Sequence, residues 1–201
     1  MLLIQNITLI RSEKKIFEDI SLSLTTGRMV VLKGKNGSGK TSLLKTILNI
    51  LKPTSGSIYW KGKLLNKNLN DYYNNITYIS DKTSSIRQLT VYENIKIWKK
   101  LFLSKVNYDQ INNILSILDL KNLLNSKVNV LSLGEIKKLE LLRLIIENKK
   151  IWFLDEPFTN LDKNTTNVIE QTFTDHCNNN GSIVFSTHYD PKIKIDEEIN
   201  L

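Results

Sequence analysis

The 201 residues contain a single cysteine, Cys177, so no intrachain disulfide can form, and no His/Cys spacing is suited to zinc. A chain of this length buries a sufficient core without such staples. A lone thiol suits a reducing compartment. Long apolar runs are also missing: no stretch approaches the roughly 18 residues that cross a bilayer. Any work at a membrane would therefore need membrane-embedded partners. The opening residues, Met1-Leu2-Leu3-Ile4-Gln5-Asn6, lack the basic start and cleavage pattern of a signal peptide and read as a first β-strand. Arginine is nearly absent, whereas Lys, Ile and Asn abound, the pattern of an AT-rich coding sequence. Lys+Arg exceeds Asp+Glu by 28 to 20, a net charge of +8. An excess of this size can serve nucleic acid or anionic lipid. Here it is dispersed in pairs such as Lys99-Lys100, Lys137-Lys138 and Lys149-Lys150, so no direct nucleic-acid partner is expected.

What is present has the alternation of one α/β domain. Residues 1–33 read as strands, ending in the continuous apolar run Met29-Val30-Val31-Leu32 of a buried parallel strand. Residues 42–51 read as a helix with Leu43, Leu44, Ile47, Leu48 and Leu51 on one stripe. Residues 57–60 and 76–80 read as strands, and 67–75 as a polar loop or weak helix. Helical spacing then dominates over 91–103, 109–118 and 135–146, with Gly134 the only glycine between 90 and 148. Strand patterns resume at 151–154 and 182–186. The expected layout is one domain, with a core of residues 1–82 and 149–201 and an inserted helical lobe at about 83–148.

The chemistry-bearing residues sit at strand ends. Gly34-Lys35-Asn36-Gly37-Ser38-Gly39-Lys40-Thr41 follows a strand and opens a helix that continues at Ser42, the P-loop arrangement. Its glycines let backbone N–H groups turn inward into an anion nest, and the helix N-terminus adds its dipole. The expected ligand is ATP with Mg²⁺: Lys40 bridges the β- and γ-phosphates and the Thr41 hydroxyl ligates the metal. Asp155 and Glu156 emerge from the apolar strand Ile151-Trp152-Phe153-Leu154, where open α/β sheets bind ligands. Asp155 suits Mg²⁺, directly or through water, and Glu156 suits polarisation of the attacking water. His188 follows the strand 182–186 and is placed to contact the γ-phosphate or orient the water.

Further motifs carry a resemblance. Leu131-Ser132-Leu133-Gly134-Glu135 resembles the LSGGQ signature of ABC ATPases, opens a helix, and places Ser132 23 positions before Asp155 (132 to 155). Asn160-Leu161-Asp162 resembles the family's D-loop, and Ser186-Thr187-His188 its H-loop. With the P-loop and the Asp155-Glu156 strand end, five motifs in family order cover nearly the whole chain. The resemblance implies a P-loop NTPase (RecA-like) α/β fold: a parallel core sheet, an N-terminal antiparallel β subdomain and an inserted α-helical lobe. It also implies a head-to-tail dimer of two copies around two ATP molecules. Ser132 and Gly134 of one copy would meet the γ-phosphate held by Lys40 of the other, and Glu135 and Asp162 are implied as further nucleotide-binding residues.

Within that family the chain is most similar to the ATP-binding subunits of the cytochrome c maturation (heme exporter) system. The similarity rests on Gly56-Ser57-Ile58-Tyr59-Trp60, on Leu89-Thr90-Val91-Tyr92-Glu93-Asn94, on the non-glycine Leu133, and on residues 152–162. It implies integral-membrane partner subunits and a peripheral place on the cytoplasmic face of an inner membrane, or the matrix side in a mitochondrion. ATP hydrolysis would drive release of heme or a heme chaperone. Heme would be met only through the partner complex, since the chain has no CxxCH. ATPase subunits of other small exporters (peptide, drug or lipid) and non-transport ABC ATPases share every catalytic motif and remain alternatives. Three positions depart from the family pattern. Lys82 stands where a glutamine is expected, and a protonated lysine offers Mg²⁺ no lone pair. Arg11 stands at the expected adenine-stacking position, where a guanidinium can still stack. Glu135 replaces a glutamine.

Overall fold

A computed structural model describes residues 1–201. The N-terminal strands β1 (Leu2–Arg11) and β2 (Lys14–Leu24) form an antiparallel ladder that runs from Leu2 opposite Leu24 to Arg11 opposite Lys14. Strict alternation along β1 breaks between Ile4 and Ile7, where the register shifts and Asn6 takes a φ of 49°. That irregularity lets Leu2, Ile4, Ile7 and Leu9 all face inward.

The chain then enters the core through β3 (Met29–Lys33), α1 (Lys40–Ile47), β4 (Ser55–Trp60), β5 (Lys63–Leu64), α2 (Leu69–Asn74) and β6 (Ile76–Ile79). β4 and β5 return to the antiparallel sheet, whose order is β2-β1-β4-β5. α1 ends at Ile47, short of the expected residue 51, because Asn49 turns into the left-handed region. The polar stretch 67–75 does contain a helix. It is anchored by the fully buried Tyr72, whose hydroxyl donates to the Ile47 carbonyl at 3.1 Å.

Three longer helices follow: α3 (Val91–Leu101), α4 (Tyr108–Ile117) and α5 (Leu133–Glu147). Each starts on a reciprocal capping box, Thr90 with Glu93, Asn107 with Gln110 and Ser132 with Glu135. Such boxes satisfy N–H groups that the first turn leaves free. Their apolar stripes pack together through Ile95, Ile111, Leu115 and Leu142.

The chain returns to the core through β7 (Ile151–Asp155), α6 (Lys163–Asn178), β8 (Ser182–Ser186) and β9 (Glu197–Asn200). The second sheet is parallel throughout, in the order β6-β7-β8-β3-β9. α6 was not expected from its Asn- and Thr-rich sequence, although Ile169 and Phe173 are buried on one face of it; its N-cap Asp162 accepts from the Thr165 N–H at 2.8 Å. β9 was likewise not expected from its polar Glu-Glu-Ile-Asn sequence. It is held at the sheet edge by Arg28–Glu197 and Lys33–Glu198 ion pairs, both 2.9 Å.

The strand period of two divides the core. Met29, Val31, Trp152, Leu154, Ile183 and Phe185 face the three-helix side, with α6. Val30, Leu32, Ile151, Phe153 and Val184 face α1 and the antiparallel sheet. Burying each such side chain contributes about 1.5–3 kcal/mol. The sheet is therefore apolar on both faces, and polar groups gather only where its strands end.

Candidate functional site

The carboxyl ends of β3, β7 and β8 converge on one cleft of about 470 Å³. The loop leaving β3 reaches α1 through two glycines that admit no other residue. Gly34 has φ 148°, and a Cβ there would lie 2.5 Å from Ser38 Oγ and 2.6 Å from the Leu201 carbonyl. Gly39, the residue before α1, has φ 110°, and a Cβ there would lie 3.0 Å from the Ile16 side chain and carbonyl. The loop therefore presents backbone rather than side chains at the helix N-terminus, as anion binding needs.

Lys40 is 6% exposed, and its ammonium donates to the carbonyls of Gly34 at 2.8 Å and Lys35 at 3.2 Å. It also lies 3.2 Å from His188 Nε2. Next to it, the Thr41 hydroxyl donates to Asp155 Oδ2 at 2.7 Å. Ser186 donates to Asp155 Oδ1 at 2.6 Å, so both oxygens of this 1%-exposed carboxylate are oriented. Lys137 reaches the backbone carbonyl of the same residue from α5, at 3.3 Å. Burial pushes the Lys137 ammonium below its ordinary pKa, against the raising pull of Asp81 and then of Asp155, Glu140 and Glu156.

Glu156 turns the chain out of β7 with φ 47°, a left-handed conformation that a glutamate adopts at a cost. That turn brings the carboxylate back over the strand ends. Oε2 accepts from the His188 backbone N–H at 3.2 Å, and the Glu156 N–H donates to Ser186 Oγ at 3.1 Å. Oε1 is buried and makes no hydrogen bond. It lies 3.2 Å from His188 Nε2 and 4.0 Å from Lys40 Nζ, neighbours without hydrogen-bond alignment. A buried carboxylate oxygen left free in a cleft is available to accept a proton.

Asn36, Gly37, Gly39, Lys40, Thr41, Ser42, Asp155, Glu156 and His188 thus share one cleft, while Gly34, Lys35 and Ser38 shape its loop. Arg11 is not among them. It sits exposed at the tip of the β1–β2 hairpin, and Ile16 lines the cleft on that side.

Ser132, Gly134, Glu135 and Asp162 lie outside the cleft and form a second surface. The Ser132 N–H and hydroxyl donate to Glu135 Oε2 at 2.7 and 2.8 Å, which holds the Glu135 carboxyl below its usual range. Gly134 is required because a Cβ there would lie 2.6 Å from the Asn160 carbonyl. Lys138 pairs with Asp162 at 3.1 Å, tying α5 to the start of α6. The Thr165 N–H, with the Thr165 hydroxyl and Lys138, holds the Asp162 carboxyl far below the usual carboxylate range.

Sequence reasoning missed Ile16, Asp81, Lys137 and Ser186. Asp81 carried a usable signal: it follows a parallel strand just as Asp155 does. No cluster of three or more His, Cys, Asp or Glu side chains forms a metal cage. That fits Mg²⁺ arriving with a nucleotide, which needs only one or two protein oxygens and keeps its waters. Thr41 and Asp155, paired at 2.7 Å, offer hard oxygens of that kind.

A larger groove of about 580 Å³ lies between α4, α5 and α6, away from the loop. It has no phosphate-binding backbone or paired carboxylates, so the smaller cleft is the chemical site. His176, on its wall, stacks on Trp152 with ring centroids 3.5 Å apart. Burial depresses its pKa from 6.5 to about 4, partly offset by the Lys150 carbonyl. The folded state thus disfavours the imidazolium, so its stability contribution is complete above pH 6.5 and is lost as the pH falls towards 4. The melting temperature should fall more steeply across that window for the natural chain than for His176→Phe, which keeps the stack but cannot titrate. Parallel melting curves between pH 7.5 and 4 check this.

The family described as ABC transporter matches residues 17–159. A cytochrome c biogenesis ATP-binding export protein, CcmA, of Reclinomonas americana is 37% identical over 96% of this chain and 87% of its own length. The protein of the same name in Aliivibrio fischeri is 32% identical over 98% of this chain and 96% of its own. Among solved structures, a putative ABC transporter ATP-binding protein from Pyrococcus furiosus superposes with a TM-score of 0.85 at 26% identity, covering 100% of this chain and 96% of the other.

Proposed function

Because this chain belongs to the ABC transporter family, as an ATP-binding subunit of the cytochrome c biogenesis type, we propose that it splits Mg-ATP to power heme handling by membrane partners. The observation that carries the chemistry is Glu156 Oε1, buried and unbonded, beside Lys40 and His188. ATP lies with its β- and γ-phosphates on the loop 34–41, against Lys40. Bound Mg²⁺, held through Thr41 and Asp155, would neutralise phosphate charge. Glu156 takes the proton of the attacking water, and His188 holds the γ-phosphate edge.

The second surface completes the site in trans. Ser132 caps α5, and the free N–H groups of that helix's first turn suit a phosphate. A second copy, docked head-to-tail, brings Ser132 and Gly134 to the γ-phosphate, with Glu135 and Asp162 at the seam. Residues 83–148 act as the lobe that moves against a core of 1–82 and 149–201.

No helix of the chain is long and apolar enough to cross a membrane. The relatives' description as export proteins supports delivery of the work to integral-membrane subunits, from the cytoplasmic face of the inner membrane or its organellar equivalent. The names of the relatives support cytochrome c biogenesis as the system served, with release of heme or a heme chaperone as the driven step. Affinity purification of the tagged chain from detergent-solubilised native membranes tests this. The expected result is co-purification of cytochrome c maturation membrane subunits; partners from an unrelated exporter would overturn the assignment.

A further inference from the structure

We propose that Asp81 is the carboxylate through which the loop after β6 acts on the divalent cation of the cleft, by way of a cation-bound water. The inference rests on the reading of the cleft as a Mg-nucleotide site. Its first support is topological. β6 runs parallel to β7 with Ile79 level with Leu154. Two further residues on each strand bring Asp81 and Glu156 to the same end of the sheet. Asp81 accordingly lines the cleft with Thr41, Asp155 and Glu156, whereas Lys82 does not.

The second support is that the loop is fixed rather than free. Glu140, buried on α5, accepts from the Thr83 hydroxyl at 2.6 Å, the Ser84 N–H at 2.9 Å and the Ser85 N–H at 2.7 Å. Burial pushes the Glu140 carboxyl up, but hydrogen bonds from Ser85, Thr83 and Ser84 outweigh it and keep it ionised. Ser80 Oγ closes the other side of the loop on the Lys82 carbonyl at 2.6 Å. Asp81 is thus presented from a tied-down turn.

The third support is chemical. A carboxylate offers Mg²⁺ hard oxygens, whereas a protonated lysine offers none. Thr41 and Asp155, paired at 2.7 Å, take the direct positions, and Asp81 acts on the cation's hydration shell. It is a positioning residue, and its loop joins the metal to α5 through Glu140.

The test titrates Mg²⁺ into the natural chain, Asp81→Asn and Lys82→Ala, each with a fluorescent ATP analogue. It reads the Mg²⁺ concentration for half-maximal tightening, against nucleotide affinity in EDTA. Asp81→Asn should need about 10–100-fold more Mg²⁺, as for lost outer-shell partners, with EDTA affinity unchanged. Lys82→Ala should leave both values unchanged. Natural Mg²⁺ dependence in Asp81→Asn, or an equal shift in Lys82→Ala, overturns the proposal. So does a loss of EDTA affinity in Asp81→Asn, which would make the residue structural. Failure of all three proteins to bind the nucleotide at all would instead overturn the reading of the cleft.

Discussion

Lys40→Ala is expected to leave a folded chain that no longer retains Mg-ATP, with affinity reduced at least about 100-fold. A hydrogen bond to a charged group contributes about 1.5–3 kcal/mol. An ammonium bridging two phosphates makes at least two of them, and 1.4 kcal/mol is a factor of ten. The setting strengthens each contact, because Lys40 is 6% exposed and its charge acts in a medium less screening than water. No second cation is hydrogen-bonded to the loop: its Gly34 and Lys35 carbonyls take their side-chain hydrogen bonds from Lys40 alone. The substitution removes no apolar core contact but strands the two loop carbonyls, so the melting temperature should fall modestly while the chain stays folded. Lys40→Arg should be only partly tolerated. It keeps the charge, but its planar fork does not match a point donor set 2.8 Å from one carbonyl and 3.2 Å from another. Calorimetric titration with Mg-ATP, beside a melting curve, decides the matter. Natural affinity in Lys40→Ala would remove the loop 34–41 from the site.

The parts of this site legible in the sequence are those whose geometry is local. The loop 34–41 needs only its neighbours to form a nest, and Asp155 and Glu156 are placed by an apolar strand that ends before them. Ser132 was readable as a cap because capping spans three residues. What was not legible depends on distant chain. Ser186 orients Asp155 across 31 positions, and Lys137 is buried against Asp155 only once α5 docks on the core. Gly134 is marked by the signature resemblance, but the reason only glycine fits there is the Asn160 carbonyl against it, which the sequence does not show. The exposed place of Arg11 at a hairpin tip was not legible either, because it depends on how the turn closes. Here Ser12 and Glu13 both take positive φ, which closes a tight turn and leaves Arg11 opposite Lys14 at the tip. β9 and α6 escaped for another reason: the edge strand is polar and partly exposed, and α6 sets its buried Ile169 and Phe173 among Thr, Asn and Gln that mask the period.

Glu156→Gln is expected to bind ATP as tightly as the natural chain and to hydrolyse it at least about 100-fold more slowly, the scale of a lost general base. The amide preserves the shape of the carboxylate, so the His188 N–H retains an oxygen partner in place of Oε2, now 3.2 Å away. It also preserves the backbone cost, since glutamine meets the same penalty at φ 47° as glutamate does. What disappears is the charge on Oε1, a buried carboxylate oxygen of the cleft with no hydrogen bond. An amide cannot take a proton from water at neutral pH, whereas the loop, Lys40 and the Thr41–Asp155 pair that hold the nucleotide are untouched. Capture and cleavage should therefore separate. If the phosphate also binds Ser132 of a second copy, ATP that is held but not split should accumulate as a dimer. Gel filtration with ATP and single-turnover hydrolysis measure the two halves of this expectation. A natural rate in Glu156→Gln would assign the proton to another group, with His188, 3.2 Å away, the first to examine. A slow rate with monomers alone would keep Glu156 as the base and remove the trans-acting surface. The variant thus tests separately the two ideas that the strand-end geometry joins.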